Sequence, residues 1–207
     1  MKRTRCNNEG FSLVELIIVI AIMAILAGAI APALIRYIDK ARASRATEEA
    51  RTIVTAVETA LATKAGEDAD FQIGATFVTS DGTSVQCGLI TNWILSKTQS
   101  GDEFTDQDPE YANYLISKEI LANLQSEDSN NYMFFNFTGS GNNPIGMSCG
   151  EFASRYEDCP GVIIAYGSNG KVIMLEYYNY GCLIHYENNE YEFMDDQNSF
   201  ISSSRLQ

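Results

Sequence analysis

From Leu16 to Ile35 the chain reads LIIVIAIMAILAGAIAPALI, twenty residues without a charge. At 1.5 Å per residue such a helix spans the roughly 30 Å of a bilayer's hydrocarbon. The pattern then changes without a break. In RYIDKARASRATEEARTIVTAVETALATKAG the residues Ala46, Ala50, Ile53, Val54, Val57 and Leu61 recur at three- and four-residue steps, one stripe of a helix. Arg45, Glu48, Glu49, Arg51 and Glu58 fall mostly off it. Gly66 is a suitable stop, and Lys64 suits the negative end of the helix dipole. Residues 11–65 therefore predict one helix, about 80 Å long, apolar all round in its first half and on one face in its second.

After Gly66 the periods shorten. Residues 88–95 (GLITNWIL) read as a short helix or strand, with Trp93 as a core anchor. Pro109 opens a helix, PEYANYLISKEILANLQ, expected to turn Tyr111, Leu115, Ile120 and Leu124 inward. Residues 132–137 are aromatic and strand-like. Residues 161–166 and 171–178 flank Gly167-Ser168-Asn169-Gly170, a hairpin signal. Asn179-Tyr180-Gly181 and Asn188-Asn189 mark two further turns before residues 182–186 and 191–194. A meander of three to five antiparallel strands follows. Its apolar face needs a cover, and the stripe on residues 46–61 supplies one. The expected fold class is α+β: a long N-terminal helical spine packed on an antiparallel sheet.

Charge divides the chain in the same place. The net charge is −13, yet residues 1–10 carry three bases and one acid. Residues 67–207 carry 21 acids and five bases, a net of −16. That balance is wrong for a nucleic-acid binder, which presents a basic patch. Lys2, Arg3 and Arg5 place the N-terminus on the cytoplasmic side by the positive-inside rule, with the acidic remainder outside. His185, the only histidine, is three residues from Cys182 in a strand-like run, so the two face opposite ways and form no dyad. No catalytic constellation and no cofactor signature is visible.

Two ordinary readings of the apolar segment leave one residue unexplained. Ala27-Gly28-Ala29 and Ala29-Ile30-Ala31 fit a secretory cleavage site, although the run is long for a signal peptide and Pro32 follows directly. An uncleaved anchor is the other. Neither accounts for Glu15, because an acid near the start of an apolar span costs up to ~3 kcal/mol on insertion scales. Gly10-Phe11-Ser12-Leu13-Val14-Glu15-Leu16, behind a short basic leader, resembles the processing motif of type IV prepilins and pseudopilins. Pro32, one turn after Gly28, resembles the helix-kinking proline of many type IV pilins. The resemblance implies cleavage between Gly10 and Phe11 by a membrane aspartic peptidase and methylation of the new amine. It further implies assembly through Phe11, Glu15, Gly28 and Pro32, with Glu15 pairing with the ammonium group of a neighbour's Phe11.

On this reading residues 1–10 are a leader, 11–38 a transmembrane and assembly helix, 39–66 an amphipathic helix docked on a head at 67–194, and 195–207 a polar tail. The expected product is a membrane-anchored precursor of a filament subunit, an adhesive or motility pilin. A pseudopilin of a secretion or DNA-uptake system, or an unassembled single-pass protein with an external binding domain, is the alternative. Its partners would be identical and related pilin subunits, the prepilin peptidase and methylase, the inner membrane and the assembly machinery. Loss of Cys6 with the leader would leave Cys87, Cys149, Cys159 and Cys182 for disulfides in three pairings; the resemblance favours Cys159–Cys182. The acidic loop with Asp102, Glu103, Asp106, Asp108 and Glu110 lacks the spacing of an EF-hand and reads as solvated, and no metal site is expected.

Overall fold

The computed structural model describes residues 11–66, 71, 73–124, 144–155, 160–194, 199–201 and 204–206. The chain divides into two compact units, the first ending at Ala41 and the second running from Arg42. Helix α1 (Leu13–Gly66) begins in the first and ends in the second. Its residues 46–61 belong to the core of the second unit, as the periodicity of that stretch predicts.

The second unit is built on one six-stranded antiparallel sheet in sequential order. Its strands are β1 (Ala75–Val78), β2 (Ser84–Thr91), β3 (Gly161–Tyr166), β4 (Val172–Asn179), β5 (Cys182–Glu187) and β6 (Glu190–Met194). With α1 this is the α+β class the patterning predicts. Tight turns fix the register. Tyr180 and Gly181 both have positive φ, as do Asn188 and Asn189, giving two-residue loops whose twist matches that of the strands.

Every residue of β3 and β5 is buried, which one covered face cannot achieve. On one face, Val162, Ile164, Tyr166, Leu175, Tyr177, Ile184 and Tyr186 pack with α1, α2 (Asn92–Gln99) and α3 (Tyr111–Leu124). On the other, Ile163, Ala165, Met174, Tyr178 and Leu183 pack with α4 (Cys149–Arg155) and the C-terminal segment. The polar tail expected at 195–207 is therefore corrected for its described residues. Phe200, Ile201 and Leu206 are buried, Ser199 bridges to Ser148, and Leu206 bridges to Phe77. Three apolar side chains in a polar stretch anchor it, together with its backbone bonds to the neighbouring segments.

Other expectations shift. Residues 88–95 are neither all helix nor all strand: β2 ends at Thr91 and α2 starts at Asn92, whose buried side chain accepts from Val162 N and donates to Pro160 O. Trp93 is half-buried, its ring perpendicular to that of Phe104. The inner face of α3 is rotated, burying Tyr114, Ser117, Ile120, Leu121 and Leu124 while Tyr111 and Leu115 are half-buried. Strand β1 and the first half of β2 have no counterpart among the expected strands, and the strand expected at 132–137 lies outside the described residues.

Glu49 departs furthest from its expected place. It lies within the buried stripe of α1, only 2% exposed. Its carboxylate accepts from Tyr177 Oη at 2.6 Å and Asn179 Nδ2 at 3.2 Å on Oε2, and from Arg45 Nε at 3.0 Å and Tyr180 Oη at 3.1 Å on Oε1. Arg45 also lies over the Tyr180 ring, 4.5 Å from its centroid. A buried carboxylate is tolerable when all its lone pairs are met by donors. Here the donors come from the end of β4 and the turn after it, so one acid fixes where α1 sits on the sheet. The same contacts hold Tyr180 at its positive φ, a conformation that costs a side chain on the order of 1 kcal/mol. Glu49→Ala would leave the Tyr177 hydroxyl buried without its acceptor. A loss of about 2–4 kcal/mol is expected in urea unfolding of the full chain in micelles. A change below ~0.5 kcal/mol would show that the apolar stripe alone seats the helix.

Candidate functional site

Among its described residues the first unit is a helix without a core. All seventeen large apolar side chains from Phe11 to Ile38 are exposed, Phe11 to 85%. The helix is long and apolar enough to cross a membrane. At its start, Ser12 Oγ accepts from Val14 N at 3.3 Å and Glu15 Oε2 accepts from Ser12 N at 3.0 Å. This reciprocal arrangement is a capping box, which satisfies amide groups that a helix N-terminus leaves open. Glu15 thus has a local role in addition to the one implied by the resemblance, and it uses one oxygen for it. Because the contact involves nothing before Ser12, loss of residues 1–10 would leave it intact.

Gly10 lies outside the described residues. A side chain at Gly28 would meet no atom of the described residues within 4 Å, so their packing does not call for glycine there, although glycine costs a helix ~1 kcal/mol against alanine. The helix runs unbroken through Pro32. Pro32 has no N–H, so the Gly28 carbonyl is left without its usual intrahelical donor.

In the head, Cys87, Cys149 and Cys182 are buried and Cys159 lies outside the described residues. Burial pushes the Cys87 thiol up to about 11, which keeps it a poor nucleophile at neutral pH. In the acidic loop Asp102 pairs with Lys97 at 2.8 Å, and Asp108 accepts from the amide and hydroxyl of Thr105. Among the described residues no three acids, cysteines or histidines come together as a metal site would need.

His185 does have a chemical setting, one that composition did not reveal. It lies on the sheet face opposite Cys182, between two buried carboxylates. Nδ1 is 3.3 Å from Glu176 Oε1 and Nε2 is 3.1 Å from Glu187 Oε2. A neutral imidazole has one N–H and could serve only one of them; the geometry suits an imidazolium. Glu176 also accepts from Ile201 N at 2.6 Å, and Glu187 accepts from Ser80 N at 2.6 Å and Arg205 at 2.9 Å. Two carboxylates, one imidazolium and one guanidinium balance in charge and tie the C-terminal segment to the sheet. This arrangement is structural; it positions no nucleophile.

Compared with known proteins, residues 5–31 match the prokaryotic N-terminal methylation motif. That motif is the signature of type IV pilin and pseudopilin prepilins. It implies processing by a prepilin peptidase and handling by pilin assembly machinery. With the apolar helix, it fits a membrane-anchored precursor. No curated protein and no solved structure matches the chain.

The His185 cluster carries a pH prediction. Burial lowers the His185 pKa, but hydrogen bonds and charge from Glu176 and Glu187 outweigh it and raise the net value above the ordinary 6.5. Its contribution to stability is then complete below pH 6.5 and lost as pH rises through the raised value. Burial raises Glu187, but the Ser80 amide, Arg205 and His185 bring it below its ordinary 4.5, so its contribution is present above that and lost as acid titrates it. Thermal unfolding of the head should peak in mildly acidic solution and decline towards alkaline pH, with His185→Gln flattening the alkaline limb. An unchanged alkaline limb in that variant would refute the imidazolium assignment.

Proposed function

We propose that this prepilin-type chain is the structural subunit of a type IV pilus, cut between Gly10 and Phe11 and polymerised through residues 11–38 for adhesion or surface motility. The observation that carries the reading is the methylation motif standing at the head of a helix whose large apolar side chains are all uncovered. Such a helix is stable in lipid, or in a filament core made of its copies. The chain offers nothing else to cover it among the described residues.

Glu15 fits the second setting. Oε2 is taken by Ser12, and Oε1 has no partner among the described residues. Cleavage would give Phe11 a free ammonium group at the end of an apolar helix. A neighbour's Phe11 ammonium would meet Glu15 Oε1, so that two charges, each costly alone in apolar surroundings, are neutralised together. A side chain at Gly28 would touch none of the described residues, and the glycine suits a close approach between packed helices. Pseudopilins share the motif, and the location of the filament separates the two readings: a surface pilus is sheared from cells, and a pseudopilus is retained in the envelope.

Glu15→Gln keeps an oxygen for the Ser12 amide while removing the charge. It should leave cleavage of the leader intact and lower the yield of sheared filaments, seen by electron microscopy and blotting, by tenfold or more. Wild-type filament yield from Glu15→Gln would overturn the charge-pairing account. Absence of the wild-type chain from sheared material, with filaments confined to the envelope, would favour the pseudopilin.

A further inference from the structure

One cavity of the head has no part in the account above. It has a volume of about 380 Å³ and is lined by Gly74, Ala75, Leu89, Thr91, Trp93, Ile94, Glu110 and Asn113. Pockets for small ligands are typically ~300–1,000 Å³, largely apolar, with a few convergent polar groups. Leu89, Ile94 and Ala75 supply the apolar wall and Trp93 an aromatic one. What distinguishes the site is the polar groups left unused around it.

Thr91 occupies the N-cap position of α2, where a threonine hydroxyl ordinarily accepts from the helix's first amides. Here it makes no such bond. Asn113 is 8% exposed, and its Oδ1 accepts from Tyr166 Oη at 2.6 Å. That bond fixes the amide plane and leaves Nδ2 without a partner among the described residues, still open to solvent and so to a ligand. The Glu110 carboxylate has no ion pair among the described residues, unlike Asp102 of the same loop. The site therefore presents a hydroxyl, an oriented amide donor, a carboxylate acceptor and the indole of Trp93.

We infer that this cavity binds a neutral sugar ring, one pyranose residue of a glycan. A pyranose has an apolar face of axial C–H groups, polarised positively by their oxygens, which suits the negative face of an indole. Its rim of hydroxyls both donates and accepts, matching a carboxylate acceptor, an amide donor and a threonine hydroxyl together. A cationic ligand would use Glu110 and Trp93 but leave the Asn113 donor unmet. An anion would be repelled by Glu110. Use of the site for adhesion rests on the filament reading; binding itself does not.

Trp93 is the only tryptophan in the chain, so its fluorescence reports on this cavity alone. The full-length protein, in micelles of a detergent without a sugar headgroup, would be titrated with glucose, galactose, mannose, N-acetylglucosamine and N-acetylgalactosamine. Choline would be run in parallel. A saturable change is expected with at least one sugar at roughly millimolar Kd, weakened tenfold or more by Glu110→Gln and by Thr91→Val. Both variants leave the Asn113–Tyr166 bond in place, and their thermal unfolding would be checked against the parent. No saturable change with any sugar, saturation by choline alone, or a response unaltered in both variants would overturn the assignment. Because the titration needs no filament, its failure would leave the assembly reading untouched, and a failure to assemble would leave the sugar site untouched.

Discussion

A single helix, α1, has to satisfy two different surroundings, and the rest of the chain is arranged around that constraint. From Phe11 to Ile38 it is apolar on every side, and its large side chains are uncovered. From Ala46 to Leu61 it is apolar on one face, and that face is buried in the head. Burial of an apolar side chain contributes about 1.5–3 kcal/mol, so the second stretch holds the head together. The first stretch finds no such cover among the described residues, and on the proposed reading obtains it from lipid or from other copies.

The head answers the demands of the second stretch. Apolar contact alone would let a helix slide along a sheet, since it has no direction. Glu49 supplies the direction: its four donors come from Arg45 one turn earlier and from residues 177–180. On the other sheet face the His185 cluster does the corresponding job for the C-terminal segment, using Glu176 and Glu187 to hold Ile201, Ser80 and Arg205. Both devices bury carboxylates, and both make them tolerable by surrounding them with donors rather than by exposing them. An acidic head with a net charge of −16 over residues 67–207 thus keeps some of its acids as interior fixtures and leaves the rest to the surface.

The parts of this fold that were legible in the sequence are those decided by neighbours along the chain. The uncharged run from Leu16 to Ile35, the stripe from Ala46 to Leu61, and the glycine and asparagine turns at 170, 181 and 188–189 are local signals, and the structure carries all of them. The parts that were not legible depend on residues far apart. Glu49 looks like a surface acid until Tyr177 and Tyr180, 128 and 131 positions later, are brought to it. Phe200, Ile201 and Leu206 look like stray apolar residues in a polar tail until α4 and β1 come to lie beside them. Strand β1 is four residues long and β2 carries polar positions at its start, so neither shows a clear period of two. At the candidate sites the contrast is similar. The junction at Gly10–Phe11 and the acid at Glu15 form a contiguous motif, whereas the cavity of Thr91, Trp93, Glu110 and Asn113 exists only once β2, α2 and α3 are packed.

The central proposal is that the leader is cut away before Phe11 and that copies of the chain cover the first unit. The most direct measurement is the mass of the N-terminal peptide of the native protein, taken from the host's membranes and from material sheared off its surface. The account predicts a chain beginning at N-methylated Phe11 in both fractions. A chain beginning at Ile30 or Pro32, or one that keeps Met1 in mature material, would contradict it.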